Sequence, residues 1–256
     1  MTATATRWRS LLLPVLAAAV VFVLGWKAIV VVGNYPPFIL PAPEVVGARL
    51  VEAWLEGTMT PHAWATLSEI GLGFSIGAGL AVVVGYLLAR SPLAEKLLSP
   101  YLVAAQATPI LALAPLLVLW LGTGLAAKVV ICTLIVFFPV AVATMVGIRS
   151  VDARLLELGH SLRATRWQVF RHLELPAALP QILGGMRVGV TLAVIGAIVG
   201  EWAGADRGLG VLINLARGSL FDFPLMFATL LTIAGIAIVL YLTVVLVERA
   251  LVGAWR

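Results

Sequence analysis

The chain has 256 residues, 62% of them hydrophobic and 11% charged, with a mean hydropathy of +1.08. Soluble domains run about 45–50% apolar and about 25% charged, so the solvent for most of this chain is lipid, and a soluble fold and disorder are both excluded. Basic residues outnumber acidic ones, 17 to 12, for a formal +5, an excess that reports topology in a membrane protein rather than nucleic-acid binding. The one cysteine, Cys132, lies in an apolar run and permits no intrachain disulfide, and His62, His160 and His172 are too scattered for a metal motif.

Charge-poor stretches occur at Leu11–Val32, Ile70–Ala89, Leu97–Ala127, Val129–Ile148, Leu175–Gly200 and Phe223–Val247. Each approaches or exceeds the roughly 20 residues needed to cross hydrocarbon, which predicts an all-α integral membrane protein with six transmembrane helices. Arg7 and Arg9 before the first run imitate a signal peptide, but the run continues to Val32, interrupted only by Lys27. A retained signal anchor is expected, with residues 1–10 cytoplasmic and residues 11–256 forming one membrane domain. After it comes an external segment, 34–61: proline-rich from Tyr35 to Pro43, then a short amphipathic helix from Glu44 to Glu56. The third and fourth spans are parted by Lys128 and by the turn signal Gly122-Thr123-Gly124. Gly73/Gly77, Gly185/Gly189 and Gly196/Gly200 have the small-residue spacing that lets helix backbones approach.

Arg7, Arg9, Arg90, Lys96, the five arginines from Arg149 to Arg171, Arg249 and Arg256 fall on one side, and Arg49, Lys128, Arg207 and Arg217 on the other. The basic side is the cytoplasmic one, so both termini are expected there. No G-x-x-x-x-G-K-[ST] sequence occurs, so energy for any transport must come from a partner or an ion gradient.

The longest cytoplasmic connection, between spans four and five, is patterned. Leu155, Leu158 and Leu162 stand at helical spacing, Val169 and Leu173 again after a break, and Thr165 with Gln168 forms a T-x-x-Q capping box. Two short helices with a turn near Arg163 are predicted. Glu157-Leu158-Gly159, then Leu173-Glu174-Leu175-Pro176, resembles the E-A-A motif of ABC importer permeases: E-A-A, three residues, G, nine residues, I-x-L-P. Thr66-Leu67, Gly73-Phe74, Ala112-Leu113-Ala114-Pro115 and Phe138-Pro139 extend the similarity to the binding-protein-dependent permease family from about Pro41 to the C-terminus. One position departs: Arg163 stands where the motif has glycine, and a left-handed residue there would cost about 1 kcal/mol without one. Positive φ is expected at Arg163.

The resemblance implies the type I ABC importer permease fold, with residues 150–176 as a cytoplasmic coupling loop. Glu157, Leu158, Gly159, Leu162, Arg163, Arg166, Val169, Leu173, Leu175 and Pro176 would carry ATPase coupling. Glu157 would pair with the ATPase, and Leu158, Leu162, Val169 and Leu173 would give apolar contact. It further implies two copies of a cytoplasmic ATPase using ATP and Mg, a second permease copy in a homodimer, and a periplasmic or lipoprotein substrate-binding protein. The chain itself would bind no cofactor, catalyse nothing and lie in the bacterial inner membrane. The branch it resembles serves nitrate, alkanesulfonates, taurine, hydroxymethylpyrimidine and riboflavin, and Glu69 and Thr108-Pro109-Ile110 lean towards the heterocycles.

Polar groups at membrane depth are pathway candidates, since each charge costs about 2.5–3.5 kcal/mol at the bilayer centre. Glu69, Arg187 and Glu201 are considered on that ground. Gln106, Thr108 and Pro109 join them because proline frees backbone carbonyls, tolerated mainly beside protein or water. Arg187 is equally suited to pairing with a carboxylate. The alternatives are an ATP-independent secondary transporter or channel, which leaves the E-A-A loop without a role, and a membrane enzyme, for which no cluster of acid, base and nucleophile is evident.

Overall fold

The computed structural model describes residues 2–253; Met1 and residues 254–256, Arg256 among them, lie outside these. The chain forms α1 (Thr2–Gly33), α2 (Pro43–Leu55), α3 (Met59–Arg90), α4 (Pro92–Ala107), α5 (Ile110–Leu121), α6 (Leu125–Arg149), α7 (Ala153–Ser161), α8 (Arg166–Val169), α9 (Leu175–Ala203), α10 (Leu209–Gly218) and α11 (Phe223–Gly253). Among the described residues, five helices are long and apolar enough to cross a membrane, and six if α4 and α5 are one bent span. The third span is thus broken at Thr108-Pro109, where the sequence placed its helix-disrupting proline. Thr108 takes the extended conformation that a following proline imposes (ψ 122), and the helix axis turns by 91° there.

Contacts divide the chain into two units, one running to Thr60 and including Leu212–Leu231, the other Pro61–Val211 and the chain from Thr232 onward. In the first, Trp26 Nε1 donates to Pro41 O at 3.1 Å, and Arg49 of α2 donates to Asp222 at 2.7 Å. The Asp222 bond holds the Arg49 guanidinium above its usual pKa. Lys27 is paired with Glu44 at 3.0 Å, and both are half-exposed.

The second unit is built on α3, α6 and α9. Ile70, Ala81, Cys132, Val136, Val140 and Ala197 lie at the centre of its core. Glycine makes the close crossings: a Cβ at Gly73 would run into Cys132, at Gly77 it would stand 2.8 Å from Thr133 O, and at Gly85 2.5 Å from Ala141 O. Gly185, Gly189, Gly196 and Gly200 pack on α6 in the same manner. With lipid tails as apolar as leucine, such dispersion contact holds the helices together.

Candidate functional site

Three features bear on function, and each is built locally. The first is the connection from α6 to α9. Asp152 Oδ1 accepts the Arg154 N–H at 2.9 Å where α7 begins. The helix ends in a Schellman arrangement: Arg163 has φ 53, and the Ala164 N–H donates back to Gly159 O at 3.0 Å. The left-handed residue inferred from the motif is therefore present, on an arginine. Thr165 then caps α8, accepting the Gln168 N–H, while the Thr165 N–H donates to Gln168 Oε1 at 2.8 Å. Gly159, Val169 and Leu173 meet where the two helices pack. Val169 is buried and Leu173 half-buried, so these two turn inward rather than outward as the spacing suggested. The exposed apolar side chains are Leu155, Leu158, Leu162 and Trp167, and Glu157, Arg163 and Arg166 are exposed among them. Leu175 and Pro176 are half-buried in the first turn of α9.

The second feature is the break between α4 and α5. A cavity of about 560 Å³ opens there, lined by Gln106, Thr108 and Pro109 together with Leu134, Phe138 and Leu192. No charged side chain lines it among the described residues. Thr108 Oγ1 donates to Ala104 O at 3.0 Å, which leaves its lone pairs towards incoming donors. Arg187 is not among the lining residues; its Nε lies 3.2 Å from Glu248 Oε2, an ion pair with poor hydrogen-bond alignment.

The third is a buried charge cluster at the end of α3, α6 and α9 remote from the α6–α9 loop. Glu69 and Glu201 are each 2% exposed and Lys128 5%. Lys128 Nζ lies 3.7 Å from Glu69 Oε1 and donates to Thr123 O at 2.9 Å. Glu201 accepts from the Thr66 hydroxyl and from the Gly210 N–H, both at 2.5 Å. Thr66 accepts the Leu209 N–H at 2.9 Å, and His62 Nδ1 accepts the Gly208 N–H at 3.1 Å. The 204–210 turn is therefore stitched to the tops of α3 and α9. A Cβ at Gly208 would collide with the Glu201 carboxylate, and the residue has φ 142, so only glycine fits. Glu69 and Glu201, considered singly in the sequence, meet in this knot. Lys128, read there as a helix separator and an external basic residue, pairs with Glu69 in the same knot. The available signal was depth: all three charges fall near the same end of their spans.

Residues 77–253 match the family described as binding-protein-dependent transport system inner membrane component. The chain is 44% identical over 245 residues to the riboflavin transport system permease protein of Chloroflexus aurantiacus, covering 96% of this chain and 90% of that one. It is 36% identical over 220 residues to the formylaminopyrimidine transport permease protein of Halalkalibacterium halodurans, covering 86% and 87%. To the taurine transport system permease protein of Escherichia coli it is 30% identical over 231 residues, covering 88% and 84%. An inward-facing structure of the MetNI methionine ABC transporter shares the fold, with a TM-score of 0.67 at 20% identity over 75% of this chain and 95% of that one. The chain thus belongs to the binding-protein-dependent ABC transporter permeases: it is a multi-pass membrane component of the type I importer fold, and ATP hydrolysis belongs to separate subunits.

Proposed function

We propose that this permease passes a small neutral heterocycle, of the riboflavin or pyrimidine-precursor kind, from an external binding protein to the cytoplasm. The supporting observation is the cavity at the α4–α5 break, where Gln106 and Thr108 supply the polar side chains and, among the described residues, no cation lines it to meet an anion. An anion such as nitrate or an alkanesulfonate, or a zwitterion such as taurine, would enter that low-dielectric space with its charges unmatched, whereas an uncharged ring finds apolar walls and two hydrogen-bonding groups. The similarity to riboflavin and formylaminopyrimidine permeases points the same way.

In this reading the chain works as a homodimer with both termini cytoplasmic and two copies of an ATPase, which binds ATP and Mg, beneath it. The 150–176 loop seats in the ATPase. Glu157 supplies charge, and Leu155, Leu158, Leu162 and Trp167 the apolar anchor, since Val169 and Leu173 are spent inside the loop. Closing of the ATPases draws two loops together and alternates the access of the spans.

The test is purification of the tagged chain from native membranes with identification of what accompanies it, then uptake by the reconstituted complex with its binding protein. Expected are one ATPase per permease and ATP-dependent uptake of labelled riboflavin or hydroxymethylpyrimidine that excess taurine leaves unchanged. Uptake of taurine or nitrate in preference would refute the neutral-solute reading, and solute carried by the chain alone down an ion gradient would refute the importer.

A further inference from the structure

A set of side chains beneath the loop is unused by the function so far. Phe170–Glu174 form a π turn between α8 and α9, with the Leu175 N–H donating to Phe170 O. Pro176 accounts for it, because the proline ring crowds the carbonyl of His172 in a regular α-helix and a wider turn relieves the clash. Glu174, 3% exposed, accepts from Arg90 Nη2 at 2.7 Å, and Arg90 is the last residue of α3. Arg90 Nε donates to the Tyr86 hydroxyl at 3.1 Å, and the guanidinium lies 5.3 Å from the centre of the Tyr86 ring. Tyr86 meets Phe170 edge-on with centroids 5.3 Å apart, and Phe170 lies 5.5 Å from Trp167, which is 65% exposed on the loop. Contacts therefore run unbroken from the loop's surface to the final turn of α3. The end of α6 is fastened to the same turn, since Arg149 donates to Leu88 O and Ala89 O at 3.2 and 3.3 Å.

We propose that Arg90, Glu174 and the Tyr86–Phe170–Trp167 ladder form the joint that hands displacement of the docking loop to α3, acting as positioning residues for transport. The inference rests on the docking-loop reading. Trp167 and Phe170 are rigid levers with few rotamers, and the Arg90–Glu174 pair resists parting because a buried carboxylate stripped of its cation is costly. A push on Trp167 is then relieved by moving α3 rather than by opening the pair.

Hydrogen exchange of the whole complex, nucleotide-free against ATP-vanadate-trapped, tests this. In the wild type, trapping is expected to change exchange at least five-fold both in 150–165 and in 83–90. With Glu174→Gln the loop response persists and the α3 response falls below two-fold, with the ATPase still bound. The reversed pair, Arg90→Glu with Glu174→Arg, restores at least half of it, which assigns the loss to the ion pair, while the retained loop response with the ATPase bound separates the joint from a general loss of structure. Trp167→Leu, at the exposed end, weakens the α3 response in the same sense and serves if Glu174→Gln fails to assemble. An α3 response that survives these changes, or is absent in the wild type while the loop responds, overturns the joint. A wild-type loop that does not respond at all overturns the docking reading itself.

Discussion

Lys128→Met is the sharpest perturbation of the second unit. The ammonium is buried, 3.7 Å from Glu69 Oε1, and at an effective dielectric of about 20 that separation is worth about 4 kcal/mol. Methionine keeps a stem to pack against Gly200 but leaves Glu69 with both oxygens unserved, since Oε2 already has no hydrogen-bond partner among the described residues. Removing one member of a buried pair costs about 3–5 kcal/mol, which for a chain of this size lowers the melting midpoint by roughly 10 °C. The assay is a thermal melt in mild detergent followed by a thiol-reactive fluorophore. Cys132 is the chain's one thiol and is fully buried in the core of α3, α6 and α9, so it reacts when that core opens. Adding Glu69→Gln should recover more than half of the loss, because a neutral amide no longer needs the cation. A single variant that melts within about 2 °C of the wild type, or a double variant no better than the single, would refute the reasoning.

The same melt reads three more substitutions. Arg163→Gly relieves a left-handed arginine and should raise stability by about 1 kcal/mol; a lower midpoint would mean that the arginine's contacts outweigh its backbone strain. Gly77→Ala puts a methyl 2.8 Å from Thr133 O and should cost about 1–3 kcal/mol, whereas Gly79→Ala, with open space around it, should be neutral or favourable by up to about 1 kcal/mol. Equal effects at the two glycines would undo the close-crossing account. Thr165→Ala removes the side-chain half of the capping box, leaving the backbone N–H of residue 165 on Gln168 Oε1, and should speed amide exchange at residues 166–169 about five-fold, the equivalent of about 1 kcal/mol.

Features written in neighbouring residues could be read without coordinates. The capping box at Thr165 and the glycine pairs of α3 and α9 follow from local spacing, the left-handed turn at Arg163 follows from the resembled motif's glycine position, and each is found where expected. The broken third span was half legible: Thr108-Pro109 signalled disruption, but hydropathy alone cannot turn a helix axis. Helix α10 carries buried Leu209, Leu212, Ile213 and Ala216 at helical spacing, a pattern hidden because the segment is too short to span. The charge knot was out of reach. Glu69 and Glu201 are 132 positions apart in the chain, and single charges read one at a time do not disclose their partners. Likewise the π turn is a compromise between Pro176 and the packing of Glu174 on Arg90, and only the second half of that bargain is tertiary.

The bend at Thr108 also sets an electric field. The C-terminal end of α4 carries a partial negative charge of about half a unit and the N-terminal end of α5 a partial positive one of similar size. The break leaves these opposite poles side by side beside the cavity, where an unbroken helix would pair the same groups and have none, and the 91° turn sets their axes across one another. Their monopole parts largely cancel, and what remains is a short-range dipolar field. Such a field gives little purchase to an ion of either sign, and aligns a molecule that presents a donor and an acceptor on adjacent edges.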